Sequence, residues 1–221
     1  MMRTEGWKEI EDRQLSEYGY QIKAQVLQGF THRQAGFSVV LLGDSLTDYG
    51  EWSEFEWADN IQIYNRGIAG DTCRGMRNRL DSIEKLSPDC LFLMAGINNL
   101  SVAQPLHVAE REYKLLVETI VQKLPSCQKY IFSILPINNQ IYKNRHIPDN
   151  TMVIKFNEFI RKFANEKHIP YLDLYTKMIN SSGLLEEEFT VDGCHLSAKG
   201  YEVWYSVVRQ VLLTQGITNK G

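Results

Sequence analysis

Five short apolar runs, separated by longer segments of helical spacing, constrain this chain more than any other feature. They are Phe37-Ser-Val-Val-Leu-Leu42, Ile61-Gln-Ile-Tyr64, Cys90-Leu-Phe-Leu-Met94, Lys129-Tyr-Ile-Phe-Ser-Ile-Leu135 and Pro170-Tyr-Leu-Asp-Leu174. Each has strand length, and each is apolar almost throughout instead of alternating. Continuous apolarity marks strands buried on both faces, and alternation of strands with helices implies a parallel sheet. The expectation is an α/β fold of about five parallel strands covered by helices on both sides.

The intervening segments carry the covering helices. In 108–124, Val108, Leu115, Leu116, Thr119, Ile120 and Leu124 fall on one stripe. Met152, Ile154, Phe156, Phe159, Ile160 and Phe163 repeat the pattern in 152–163. The last helix, 198–213, is preceded by Ser197 as N-cap and presents Tyr201, Trp204, Tyr205, Val208 and Leu212. One further helix is expected around Trp7 to Phe30, ahead of the first strand.

Composition supports one domain. The 221 residues, 43% of them hydrophobic, with only 6 Pro and 15 Gly, suit a single globular core over 1–221, with 1–36 as a helical N-terminal extension. The formal charge of −3 offers no basic excess for nucleic acid. No apolar run reaches the roughly 20 residues that span a bilayer, and the polar N-terminus lacks a secretory core, so a cytoplasmic protein is expected. Cys73, Cys90, Cys127 and Cys194 form no C-x-x-C pair and read as reduced thiols, with no zinc site.

In open α/β sheets the ligand site lies beyond the carboxyl ends of the strands. The first strand runs into Gly43-Asp44-Ser45, exposing a hydroxyl at that edge. The second leads to Asn65-Arg-Gly-Ile-Ala-Gly-Asp-Thr72, whose glycines let backbone N–H groups approach a ligand. The third ends in Gly96-Ile-Asn98-Asn99, a source of side-chain amides. Asp192-Gly-Cys-His195 places a carboxylate three residues before a histidine, close enough in a turn to fix the imidazole's tautomer. Each piece alone reads as a turn or a cap. Together they supply nucleophile, base, orienting acid and oxyanion donors.

These four segments resemble the four blocks of the SGNH, or GDSL-type, hydrolase family, over about residues 37–213. Within it the chain is most similar to the platelet-activating-factor acetylhydrolase catalytic-subunit branch, on the 65–72 loop, Gly96-Ile-Asn-Asn99, Ser133-Ile-Leu-Pro-Ile137 and His195-Leu-Ser-Ala-Lys-Gly-Tyr201. The resemblance implies a three-layer α/β/α, flavodoxin-like doubly wound sheet. It implies catalysis by Ser45, His195 and Asp192, and an oxyanion hole of the Ser45 N–H, the Gly70 N–H and the Asn98 amide. Neither a metal nor an organic cofactor is expected. Asn99 stands where many members carry Asp, a substitution shared with the acetylhydrolase-like branch.

Asp44, Asp48 and Asp71 are read as structural carboxylates bonding local backbone. His107, His146 and His168 lack a partner motif and read as exposed. Arg74, Asn138 and Tyr142 are candidate substrate contacts, and Cys194 has no assigned role. The absence of a long amphipathic lid near the motifs favours a small or polar substrate. The leading reading is a serine esterase for short acyl, acetyl above all, esters of a sugar, lipid or other small alcohol. A silent binding protein on the same fold is the alternative, and a phosphate binder ranks last because a P-loop lysine is missing. Trp7, Tyr18, Tyr20 and Phe30 offer a contact surface for a homodimer.

Overall fold

The computed structural model describes residues 6–142 and 148–217. Strands β1 (Phe37–Gly43), β2 (Ile61–Gly67), β3 (Cys90–Leu93), β4 (Gln128–Phe132) and β5 (Tyr171–Leu172) form one sheet in the order β2-β1-β3-β4-β5, with every pair parallel. This is the doubly wound arrangement expected. Its order reverses between β1 and β3, opening a crevice at the carboxyl ends of those strands.

Helices α1 (Gly6–Ser16) and α2 (Tyr18–Gly29) precede β1. Between β1 and β3 come α3 (Ser45–Asp48), α4 (Cys73–Asn78) and α5 (Leu80–Leu86). Then follow α6 (Ile97–Ser101), α7 (Leu106–Lys123), α8 (Asn150–Glu166), α9 (Tyr175–Met178) and α10 (Ala198–Thr214).

The apolar strands fill two cores. Val40 and Leu42 of β1, with Leu91 and Leu93 of β3, face a cluster built with α4, α5, α7 and α8. Val39 and Leu41, with Cys90 and Phe92, face the opposite cluster, where α10 packs. There Trp204 is buried, edge-on to Trp52 at 5.0 Å and to Phe132 at 5.6 Å. Removing such a side chain costs about 3–5 kcal/mol through lost transfer and cavity terms.

Several boundaries and faces differ from the sequence reading. The single helix expected over 7–30 is two, because Glu17 sits in extended backbone at ψ 140 between them. β2 runs on through Asn65-Arg66-Gly67, residues read as loop, since Gly67 still pairs with Gly43. Leu115 is 39% exposed and Ile154 45% exposed, whereas Tyr113, Val117 and Val153 are buried in their place. The 3.6-residue period was right and its phase was off by a fraction of a turn. Ser197 caps α10 as expected, accepting from the Gly200 N–H. Of the four aromatics proposed for a contact surface, Tyr18 and Phe30 are exposed, while Trp7 and Tyr20 are half-buried.

Candidate active site

β1 delivers Ser45. The strand ends at Gly43, Asp44 leaves the sheet, and Ser45 begins α3 directly, so its hydroxyl sits at the sheet edge and its N–H belongs to a helix start with no carbonyl a turn earlier. Asp44 is fully buried and its Oδ1 accepts the Leu46 N–H at 3.1 Å, the local cap expected of it. Its Oδ2 has no partner. Burial, opposed by the Leu46 bond and reinforced by the Asp71 charge, pushes the Asp44 carboxyl up to about 7.

The loop after β2 presents Gly70 at φ +78, backbone that a side chain would strain. Its N–H has no acceptor among the described residues. Asn98, in the first turn of α6, spends one amide hydrogen on the Asp71 carbonyl at 2.9 Å, which holds Nδ2 in place and leaves its second hydrogen free. The neighbouring Asn99 faces inward instead, accepting the Cys73 N–H and donating to Gln104.

The Asp192–His195 turn approaches from the C-terminal end of the chain. His195 Nδ1 lies 2.7 Å from Asp192 Oδ2, and His195 Nε2 lies 3.2 Å from Ser45 Oγ. Burial raises the Asp192 pKa, but the His195 side chain and the N–H groups of His195 and Cys194 outweigh it, holding the carboxyl below its usual range. Gly193, at φ +91, lies where a Cβ would meet the Asn138 carbonyl at 2.6 Å. Asn138 is buried; its N–H donates to the Gly193 carbonyl and its amide to Leu185. It therefore anchors this turn and is not among the residues lining the cleft, whereas the sequence reading makes it a candidate substrate contact.

Ser45, Gly70, Asn98 and His195 line one cleft of about 460 Å³. Its apolar lining includes Leu46, Ile97, Val102 and Ile137, and Tyr142 and Cys194 also border it. Burial pushes the Cys194 thiol up to about 12, so it carries no thiolate to compete with the serine. The other cysteines are buried and unpaired by disulfide. One wall was not foreseen. Ile10, Arg13, Gln14 and Glu17 of α1 close one side of the cleft.

Arg74 instead points at α1, pairing with Asp12 at 2.5 Å and Glu11 at 3.4 Å. Asp71 and Asp48 are structural as expected, but neither acts only locally. Asp71 pairs with buried Arg79 at 2.7 Å, and Asp48 accepts the Ala69 N–H at 2.8 Å. His107 and His168 are exposed, and His146 lies outside the described residues. Among the described residues no group of His, Cys, Asp and Glu is arranged to hold a metal, and no helix is long and apolar enough to cross a membrane.

The model of the GDSL-like lipase/acylhydrolase family matches residues 41–203. The chain belongs to that family. A multidomain esterase from Ruminococcus flavefaciens is 32% identical over 126 residues, 55% of this chain and 15% of that protein. An N-acylneuraminate cytidylyltransferase from Escherichia coli is 23% identical over 177 residues, 79% of this chain and 40% of that protein. The chain thus spans well under half the length of both curated relatives. A structure from Streptococcus pneumonia, named for platelet activating factor, shares the fold at a TM-score of 0.80 and 22% identity, covering 93% of this chain and 97% of its own.

The segment matched to the family contains Ser45, Gly70, Asn98, Asp192 and His195 and leaves α1 and α2 outside. No apolar stripe signalled that α1 would reach the cleft: its one fully buried residue is Glu11.

Proposed function

We propose that the chain is a serine esterase that hydrolyses short-chain acyl esters, acetyl esters above all, through an acyl-enzyme. The observation carrying this reading is the continuous line from Asp192 Oδ2 through His195 to Ser45 Oγ, at 2.7 and 3.2 Å. His195 Nε2 takes the Ser45 proton as Oγ attacks the ester carbonyl, and Asp192 stabilises the imidazolium that forms. The carbonyl oxygen, now negative, is met by the Ser45 N–H, the Gly70 N–H and the unspent hydrogen of Asn98 Nδ2. Each such donor is worth about 2.7–4 kcal/mol in the transition state. His195 then protonates the departing alkoxide. In the second half it deprotonates water, which attacks the acyl-serine and frees the acid.

A small substrate is favoured by the cleft. Leu46, Ile97, Val102 and Ile137 supply an apolar surface for a short acyl chain, while the α1 wall is polar. Arg13 and Glu17 on that wall have no ion pair or side-chain hydrogen bond among the described residues, which suits an alcohol moiety with polar groups, as in a sugar. The name of the esterase relative supports ester chemistry.

A p-nitrophenyl ester series from acetate upward, with fluorophosphonate labelling of Ser45, tests the reading. Hydrolysis should be fastest with acetate, with label on Ser45 and both lost in Ser45→Ala. Absence of hydrolysis and of labelling would assign the chain to silent binding on the same fold.

A further inference from the structure

Three consecutive residues of the oxyanion loop are tied to the N-terminal helical pair. Gln14 Nε2 of α1 donates to the Gly70 carbonyl at 2.8 Å. Tyr20 Oη of α2 donates to Asp71 Oδ1 at 3.2 Å. Lys23 of α2 pairs with Asp48 Oδ1, and Asp48 Oδ2 accepts the Ala69 N–H at 2.8 Å. Residues 69, 70 and 71 therefore each carry a bond whose other end is on, or one side chain away from, α1 or α2.

The peptide of Gly70 and the carbonyl of Asp71 are the parts of this loop that matter to an oxyanion. One supplies an N–H, and the other holds Asn98 Nδ2. Gly70 sits at φ +78 in the five-residue link, 68–72, between β2 and α4, and the atoms nearest a Cβ built on it belong to Gln14 of α1. From the body of the fold, Asp71 is held by Arg79, which also donates from Nη2 to the Gly43 carbonyl at 3.1 Å. The helical pair holds it from the other side.

The hairpin's own attachment is mostly polar. α1 buries Glu11 alone and α2 buries no residue fully. The apolar side chains Trp7, Ile10, Leu15 and Leu27 of the two helices are only half-buried, while Gln14, Tyr20 and Lys23 converge on one loop.

We infer that α1 and α2 are a positioning element of the active site, with Gln14, Tyr20 and Lys23 fixing the oxyanion loop so that the Gly70 N–H and Asn98 Nδ2 meet the developing charge. This rests on the esterase reading, and it assigns a role to a segment outside the family match. Preorganised donors stabilise a transition state without reorganising at the moment of reaction, so a loosened loop lowers kcat and leaves ground-state binding nearly intact.

Tyr20→Phe is the decisive variant, because it deletes one hydroxyl that does not line the cleft. With p-nitrophenyl acetate its kcat should fall about tenfold while KM stays within about twofold, given that small misplacements at a reacting centre cost up to about a hundredfold. The inhibition constant of phenylboronic acid, whose tetrahedral anion occupies the oxyanion position, should rise by a matching factor. Lys23→Met should show the same split, and Ile22→Ala, at an exposed site on α2, should behave as wild type. Hydrogen exchange of peptides covering 68–73 should accelerate in Tyr20→Phe. Unchanged exchange there would overturn the brace even if the wild type proved inactive. Faster exchange with unchanged kcat and boronate affinity in an active enzyme would overturn its catalytic meaning. A loss of activity that disappears on cooling below the variant's melting transition would reduce Tyr20 to a structural residue. Failure of the wild type to hydrolyse or label would count against the esterase reading instead.

Discussion

Asp192 grips His195 twice: Oδ2 lies 2.7 Å from the ring Nδ1, and Oδ1 accepts the backbone N–H of the same residue at 2.7 Å. The first contact holds the imidazole ring and the second holds the turn, so one carboxylate both builds the loop and fixes the ring that the proposed mechanism uses as base. Asp192→Asn keeps the shape but lets the imidazole adopt the wrong tautomer. kcat for p-nitrophenyl acetate should drop by about ten-thousand-fold, with far-UV circular dichroism unchanged. A loss below tenfold would mean that Asp192 does not orient the base.

Asn98→Ala removes one donor of the proposed oxyanion hole and the bond to the Asp71 carbonyl. The expected fall is about a hundred- to a thousandfold in kcat, with little change in KM, read from steady-state kinetics. A change confined to KM would place the amide on the substrate's ground state.

Gly70→Ala confronts both the backbone and α1. A Cβ there would lie 3.0 Å from Gln14 Nε2, and φ +78 is costly for any L side chain. Denaturant unfolding should show a loss of about 1–3 kcal/mol, and the Gly70→Ala, Gln14→Ala double variant should recover the steric part of it. Equal stability of Gly70→Ala and wild type would show that the turn relaxes freely.

Arg79→Met breaks the Asp71–Arg79 pair, in which the side chains are 0% and 4% exposed. An unpaired carboxylate left in that interior should cost about 3–5 kcal/mol of stability. Asp71→Asn combined with Arg79→Met should be less destabilised than Arg79→Met alone, since the stranded charge is gone. Equilibrium urea unfolding of the three variants checks both statements.

Asp44 makes stability depend on pH. Its carboxyl moves from an ordinary 3.8 to about 7 on folding, so the folded state holds a proton that the unfolded chain releases. The stabilisation is full below the unfolded value and is lost as pH rises through about 7. The melting temperature of Asp44→Asn minus that of wild type should therefore increase from pH 4 to pH 7 and level off above. A difference that stays flat over this range would show that Asp44 is ionised in the fold.

The parts of the site visible in the sequence are those built by local geometry. Gly43-Asp44-Ser45 follows a strand directly, and Asp192 and His195 are joined by a turn, so residue types and short spacings carry their relationship. Tyr142 reached the cleft as expected, while Arg74 and Asn138 did not, because their side chains are engaged elsewhere, by Asp12 and by the Leu185 carbonyl. The α1 wall left no trace in the pattern. A helix that buries Glu11 and docks through Gln14 shows no apolar stripe to read.

From the chain alone came the parallel sheet, because two-sided burial demands unbroken apolar runs, and the chemical inventory at its edge, because catalysis demands those residue types. Tertiary structure decided that Ser45 and His195, 150 residues apart, meet at 3.2 Å. It also decided that Glu17 breaks the N-terminal helix and turns Tyr20 onto Asp71. Periodicity records which face a helix buries, whereas a long-range polar contact depends on where the packed body places its partner, and no local pattern encodes that.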